Sequence, residues 1–307
     1  MKFTLRQLEI FSAVARLQTV SRAAQQLSMS QSAASNALLE LERQIGQPVF
    51  DRIGKSLHLN PLGRGVLPQV ENLLGQAVEI EAYLQGEGLA PITVGATLTI
   101  GNYLGTLLLA DYMAQHPQAE IRLHVANTQT VIERLLACEC DIALIEGEVS
   151  HPELTAEAWM EDELVVFCAP THPLAGATAV DLRDLEKMAW ILREPGSGTR
   201  RQFDRAIAAR LGQFTLRLEL EHTEAIKRAV ESGIGVGCLS RLALREALRR
   251  GSLVELPTPG FDLKRTFYIV QHARRQRGRS SQVFHALCLR ILGDAKRTAE
   301  LNMPFIP

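Results

Sequence analysis

Apolar positions recur at helical spacing at the start of the chain and then change habit. Behind Thr4-Leu5-Arg6-Gln7, a capping box, the residues Leu8, Phe11, Val14 and Ala15 continue one apolar face and predict a helix over about Leu5–Leu17. A short helix is predicted over Val20–Leu27, with Thr19 as its cap and Ala23, Ala24 and Leu27 as a small apolar face. Ser28-Met29-Ser30 breaks it, and Ser30 is placed to cap a further helix from Gln31 to about Gln44. Ala33, Ala34, Ala37, Leu38, Leu41 and Ile45 form the stripe of that helix, which leaves Gln31, Ser32, Ser35 and Asn36 outside it on the first turns. After Gly46 the period shortens. Pro48–Arg52 and Ser56–Leu59 around Gly54-Lys55 read as a two-stranded wing with a basic tip. From Pro61 to about Gln85 a helix carries Val66, Val70, Leu73, Ala77, Ile80 and Leu84 in alternating steps of four and three, a heptad seam, and Gly86-Glu87-Gly88 ends it.

From Pro91 onward, short apolar runs alternate with helical patterns. Ile92–Gly95, Ile121–Val125, Ile142–Ile145, Leu164–Ala169, Trp190–Leu192, Thr215–Leu220, Val236–Leu239 and Thr266–Val270 read as strands. Asn102–His116, Val131–Cys138, Arg200–Leu211, Ala225–Ser232 and Ser281–Leu292 read as helices. Such alternation predicts a mainly parallel sheet covered on both faces. About 215 residues exceed one such unit, so two subdomains are expected, the chain crossing near Met160–Glu161 and returning near Lys264–Arg265. The expected organisation is a winged helix-turn-helix over 1–60, a linker helix over 61–88, one α/β subdomain from 91–161 with 266–307, and a second over 162–265. The tail after Gly293 is expected to be partly disordered.

A short capped helix set on a longer one whose start carries small polar residues is the helix-turn-helix arrangement. Small side chains permit close approach to a groove, and their amides and hydroxyls offer partners to base edges and phosphates. The same pattern taken alone also suits an ordinary helical hairpin. Charge shifts the balance. The net charge of −1 hides a head in which Lys2, Arg6, Arg16, Arg22, Arg43, Arg52, Lys55 and Arg64 outnumber Glu9, Glu40, Glu42 and Asp51. A basic head on a mildly acidic body fits a polyanion held by the head alone. The expected DNA-binding set is Ser30, Gln31, Ser32, Ser35, Asn36, Arg52 and Lys55, with Arg64 a further phosphate candidate; each of these basic residues is otherwise a solvated surface charge. The narrow seam of the linker cannot bury itself, so it calls for a second helix, either from another copy, giving a homodimer, or from the chain's own body.

Composition removes other classes. With 46% hydrophobic residues and no apolar run near membrane length, and with Met1–Arg6 leading straight into an amphipathic helix, a cytoplasmic protein without signal peptide or membrane contact is expected. Cys138, Cys140, Cys168, Cys238 and Cys288 are scattered and odd in number, which suits reduced thiols; a thiol-redox switch among them is the alternative mode of regulation. Cys138-Glu139-Cys140 is too tight for a zinc pair, so no metal or cofactor is expected. His151, His172, His222, His272 and His285 form no nucleophile triad or HExxH, which leaves an enzyme with an appended head as the weakest reading, with no catalytic residue to name. Gly233–Gly237 reads as a helix-to-strand turn and Arg274–Arg279 as a solvated loop.

Ligands of parallel sheets bind beyond the carboxyl ends of strands, at helix N-termini. Gly95–Thr99, Asn127–Thr130 and Glu194–Arg200 each follow a strand and open a helix, and they are spread over both subdomains. Together they predict one cleft for a small anion, lined by Ala96, Thr97, Thr99, Thr128, Gln129, Gly196, Ser197 and Thr199, with Glu146 and Glu224 nearby and Lys227 beside them. A carboxylate there repels an anion unless it is protonated or paired, for example with His222 or Arg200.

The runs Leu8-Glu9-Ile10-Phe11, Ala23-Ala24-Gln25-Gln26-Leu27, Ser30-Gln31-Ser32-Ala33-Ala34-Ser35, Phe50-Asp51-Arg52 and Leu59-Asn60-Pro61-Leu62-Gly63 resemble the LysR-type transcriptional regulators. Ile45-Gly46-Gln47-Pro48-Val49-Phe50-Asp51-Arg52 departs conservatively from the family's pattern at the wing. The resemblance implies a paired linker helix, often within a homotetramer, promoter double-stranded DNA as partner, and an effector domain like a periplasmic binding protein, made of two Rossmann-like subdomains. Thr97-Leu98-Thr99, Pro195–Arg200 and His222–Lys227 resemble the branch concerned with sulfur assimilation, including the YeiE-like group, which implies a small anionic effector, a sulfur oxyanion such as sulfite or sulfate first among them.

Overall fold

The computed structural model describes residues 2–54, 56–85, 88–275, 278–291 and 295–301. The head opens with α1 (Leu5–Leu17), whose Thr4–Gln7 capping box is formed on both sides. It continues through α2 (Val20–Gln26) and α3 (Gln31–Ile45), then β1 (Phe50–Ile53) and β2 (Ser56–Leu59), which pair antiparallel as the wing. Ile10, Phe11, Val14, Ala23, Ala24, Ala34, Leu38 and Leu41 bury together, and the Phe11 and Phe50 rings lie 5.5 Å apart. Three sequence expectations change here. Thr19 makes no capping bond, and its hydroxyl is buried without a partner among the described residues. Ala33 and Ile45 are exposed, because the inner stripe of α3 runs only through Ala34, Leu38 and Leu41.

The linker helix α4 spans Pro61–Gln85. A Cβ at Gly63 would overlap the Val49 carbonyl, so only glycine lets the helix cross the wing this closely. Asn60 locks the same corner, donating to the Pro48 carbonyl and accepting from the Gly63 N–H, both at 2.8 Å. The first part of the heptad seam is spent inside the chain, since Leu67 and Val70 enter the head's core and Val66 packs against it. Leu73, Ile80 and Leu84 stay exposed, Leu84 by 77%. Lys55 and the Gly86-Glu87 stop signal lie outside the described residues.

The body runs β3 (Ile92–Thr97), α5 (Leu98–Ile100), a π-helical stretch Gly101–Gly105, α6 (Thr106–Gln115), β4 (Ile121–Ala126), α7 (Thr128–Leu136), β5 (Ile142–Glu146), β6 (Leu154–Cys168) and α8 (Leu182–Glu186). It continues with β7 (Ala189–Arg193), α9 (Gly198–Ala206), β8 (Thr215–Leu220), α10 (Thr223–Glu231), β9 (Val236–Ser240), α11 (Arg241–Arg250), β10 (Val254–Leu256), β11 (Lys264–His272) and α12 (Arg279–Ile291). The strands lie in the order β4-β3-β5-β11-β6-β9-β7-β8, with β10 also on β6. The two flanks are parallel, but β6 and β11 run antiparallel to their neighbours, so the sheet is mixed rather than mainly parallel. These two strands carry the chain between two cores. One gathers Ile100, Tyr112, Phe267 and Phe284; the other gathers Trp190, Phe203, Cys238 and Leu256. The result is a two-subdomain α/β domain. Gly233 turns the end of α10 toward β9 with φ of 79°, as the glycine run implied. Of the tail, residues 295–301 lie against β6 with Leu301 buried, and 302–307 are outside the described residues.

Candidate functional site

On the head, the Ser30 hydroxyl accepts from the Ala33 N–H at 3.2 Å and sits 3.1 Å from the Ser32 hydroxyl, so the cap also fixes the start of the polar face. Gln31, Ser32 and Asn36 are exposed on α3, Ser35 is half-buried, and Arg52 is exposed on the wing. The wing is tied to the helices by Leu57 N–H donating to the Gln18 carbonyl at 2.8 Å and Val49 N–H to Glu42 at 2.9 Å. Arg64, exposed, spends one guanidinium nitrogen on the Leu59 carbonyl at 2.7 Å. Polar tips on a firm support can dock to a groove without reorganising the head.

In the body the three helix-opening loops do converge, but on each other. Gly198 N–H donates to the Thr128 hydroxyl at 3.0 Å and Gln129 N–H to the Gly196 carbonyl at 3.2 Å. A Cβ at Gly198 would overlap the Glu146 carbonyl, so the second subdomain presses directly on the end of β5. Ser197 caps α9 and is buried.

The centre of the contact is Glu146, 2% exposed. Its carboxylate accepts from Thr99 N–H at 2.6 Å and Ile100 N–H at 3.3 Å, from the Thr199 hydroxyl at 3.3 Å, and from Arg265 at 2.8 Å. Thr97 holds the backbone of the same residue, its hydroxyl accepting from Glu146 N–H at 3.2 Å. Arg265 also donates to Asp162 at 2.8 Å, to the Thr199 hydroxyl at 2.9 Å and to the Thr99 hydroxyl at 3.5 Å. Burial opposes the charge on Glu146, yet the Arg265 guanidinium and the Thr97 and Thr99 bonds prevail and hold its carboxyl below the usual range. Burial likewise works against charge on Arg265, and Glu146 and Asp162 outweigh it.

Not every expected residue joins this centre. The Ala96 side chain belongs to the apolar core of the first subdomain. Gln129 is exposed and donates to Glu133 at 3.0 Å. Glu224 lies at the mouth, where it accepts from the Tyr103 hydroxyl at 2.6 Å and pairs with Lys227 at 2.8 Å. Tyr103 reaches it from the π-helical stretch, so this pair also spans the two subdomains. The partners suggested for Glu146 are engaged elsewhere or idle: Arg200 pairs with Asp204 and Glu219, and His222 makes no capping bond. Arg265, Asp162 and Tyr103 were missed from the sequence as site residues. For Arg265 a signal existed, because β11 alternates in burial and places this charge on the same inward phase as Phe267 and Ile269. Among the described residues no cluster is arranged to hold a metal ion.

Comparison with known proteins agrees with both halves. Residues 5–64 match the model of the bacterial regulatory helix-turn-helix protein, lysR family, and residues 85–292 match the LysR substrate binding domain. The chain is 42% identical over 288 residues to the uncharacterized HTH-type transcriptional regulator YeiE of Escherichia coli, covering 94% of this chain and 98% of that one. Among solved structures, full-length OxyR of Pseudomonas aeruginosa is 25% identical with a TM-score of 0.73, over 94% of this chain and 98% of the other. The regulatory domain of CcmR from Synechocystis in complex with 2-PG is 27% identical with a TM-score of 0.61, over 67% of this chain and 98% of that domain. A helix-turn-helix head, a linker helix and a two-subdomain effector domain, matched along nearly their whole length, place this chain in the LysR family of transcriptional regulators.

Proposed function

We propose that this regulator reads promoter DNA with Ser30, Gln31, Ser32, Ser35, Asn36 and Arg52, and that a small oxyanion in the cleft between the subdomains switches what that reading does. Lys55 at the wing tip joins the DNA set on its sequence position alone. The observation that carries the effector reading is the setting of Glu146: two backbone N–H groups, a hydroxyl and a guanidinium from both subdomains surround one carboxylate. This is the donor set of an oxyanion site, occupied by the protein's own anion. An effector acts by taking over Thr99, Thr199 and Arg265, with Thr97, Thr128 and Ser197 holding the loops around it. Ala96, Gly196 and Gln129 then shape the loops through their backbone, and Glu224 gates the mouth. The donors now close on a carboxylate, and a sulfur oxyanion such as sulfite or sulfate is the first choice for the effector. A bound small molecule in the CcmR regulatory domain supports ligand control in this fold.

Residues 1–60 form the reading head and 61–88 the linker in this scheme; 91–161 with 266–307 and 162–265 form the subdomains. The exposed Leu73, Ile80 and Leu84 side of α4 supports pairing with a second copy, as a dimer or within a tetramer. No helix among the described residues is long and apolar enough to cross a membrane, and a cytoplasmic regulator is proposed.

Likeness to OxyR in fold brings the thiol-redox alternative back into view. The cysteines argue against it. All five are buried, and burial pushes Cys168 up to about 11 and Cys138, Cys140 and Cys238 up to about 12. Such thiols hold very little thiolate near neutrality, and the thiolate is the reactive form.

Calorimetric titration of the full chain with sodium sulfite, sulfate and 2-PG tests the effector reading. Saturable heat with sulfite that disappears in Thr99→Ala and Thr199→Ala is expected; no heat with any oxyanion, or heat unchanged by both variants, overturns it.

A further inference from the structure

We infer that the C-terminal segment 295–301 is a strap across the subdomain crossover, and that Thr298 and Asp162 are positioning residues that aim Arg265 into the cleft. The inference rests on the cleft reading above and adds its means of regulation from outside the ligand's reach.

The segment is held to both subdomains. Glu161 N–H donates to the Lys296 carbonyl at 2.9 Å, and Arg297 donates to the Glu161 carboxylate at 3.2 Å, which lays the strap beside β6 where that strand leaves the first subdomain. Leu301 enters the first subdomain's core. From the other side Arg245 on α11 donates to the Leu301 carbonyl at 3.1 Å and the Ala299 carbonyl at 3.5 Å.

Between these anchors the Thr298 hydroxyl, 3% exposed as a residue, donates to Asp162 Oδ1 at 2.8 Å. Asp162 is as deeply buried and collects two further donors: the Ser240 hydroxyl on Oδ1 at 2.8 Å, from the junction of β9 and α11, and Arg265 Nε on Oδ2 at 2.8 Å. Three elements therefore fix one carboxylate. Arg265 is held by that carboxylate at Nε and presents Nη1 and Nη2 to Glu146, Thr199 and Thr99. A guanidinium is planar and rigid, so anchoring its Nε fixes the direction of its other donors. The strap thus reaches the effector donors through a continuous chain: Thr298, Asp162, Arg265, Glu146. Losing the Thr298 bond leaves a buried carboxylate oxygen short of a donor in a low-dielectric setting, and the carboxylate re-aims to recover it. Arg265 moves with it.

Amide hydrogen exchange on the intact protein, followed in peptides covering Thr97–Gly101, reads this chain without any ligand. Thr298→Val, which keeps the shape and loses the hydroxyl, is expected to speed exchange at the Glu146-bonded amides of Thr99 and Ile100 about five-fold or more. Thr298→Ser restores it. Arg245→Ala, which releases the strap at its other end, acts in the same direction. Sulfite affinity by calorimetry falls about three- to ten-fold in Thr298→Val and recovers in Thr298→Ser. Exchange at Thr99 and Ile100 that is unchanged in both Thr298→Val and Arg245→Ala, with circular dichroism unaltered, overturns the inference. A wild-type protein that bound no sulfite would overturn the choice of anion alone, since the exchange experiment contains none.

Discussion

The α3 face of the head and the cleft of the body are both polar, and they are finished in opposite ways. Gln31, Ser32 and Asn36 point outward from a rigid apolar support. Glu146, Asp162, Arg265, Thr99 and Thr199 are each at most 5% exposed, and each is bonded to others of the set or its backbone. An open polar face binds by adding partners. A closed polar set binds only by exchanging them, so its ligand must match the donors at least as well as the side chain it displaces. The first surface suits recognition of a long polyanion by docking; the second suits a switch, because occupancy and rearrangement are the same event.

The sharpest way to break this contrast is to remove Arg265, the guanidinium bonded directly to both Glu146 and Asp162. Arg265→Ala leaves two carboxylates without it, and a loss of about 3–5 kcal/mol in urea unfolding is expected. Arg265→Lys, which restores charge but not the fork, falls between. A wild-type midpoint in Arg265→Ala would mean that the cleft is not closed by electrostatics. For the head, Arg52→Glu and Ser32→Glu should each weaken promoter binding about a hundred-fold in gel-shift titrations and flatten its salt dependence, with thermal stability unchanged. Acid sharpens the contrast further. Because Glu146's carboxyl is held low in the folded protein, its contribution is complete above the unfolded value of about 4.3 and is lost as pH falls through the depressed folded value. Unfolding midpoints should therefore be insensitive to this group between pH 6 and 8 (roughly) and drop in acid, and Glu146→Gln should shrink that acid limb. The smallest effect belongs to the thiols: replacing all five cysteines with serine one at a time should leave promoter binding with and without peroxide within about two-fold of wild type.

The head was legible almost residue by residue because its elements are local. Capping at Thr4 and Ser30 and the apolar faces of α1 and α3 are short-range features, and α1 and α4 begin and end where the spacing put them. In the body the strands that bury both faces were visible, while β6 was seen only in its apolar half. Its first residues, Leu154–Ala158, are largely exposed and carry no strand-like run of hydrophobics. α11 was also missed, although Leu242, Ala243, Leu244 and Ala247 form a buried face among its arginines. The cleft was legible as loops and illegible as a circuit. Thr97, Thr99, Thr128, Ser197 and Thr199 were recognisable because hydroxyls follow strands and open helices. The pairing of Glu146 with Arg265, some 120 positions away in sequence, depends on the antiparallel register of β5 and β11 that brings Glu146 opposite Phe267. No local pattern encodes that register.

Gly63 has a mechanical consequence. With no side chain to hold the wing away, and with Leu67 and Val70 sunk in the head's core, α4 and the head have no joint between them. They form a single arm, and at about 1.5 Å per residue the helix alone is roughly 35–40 Å long. A turn of some ten degrees at the body end would carry the reading face about 6 Å sideways, comparable to the spacing of successive phosphates along a strand. Small motions at the base are thus multiplied into whole steps along the groove, and α4 meets the body where Asn72 donates to the Arg274 carbonyl and Glu79 accepts from the Arg279 N–H.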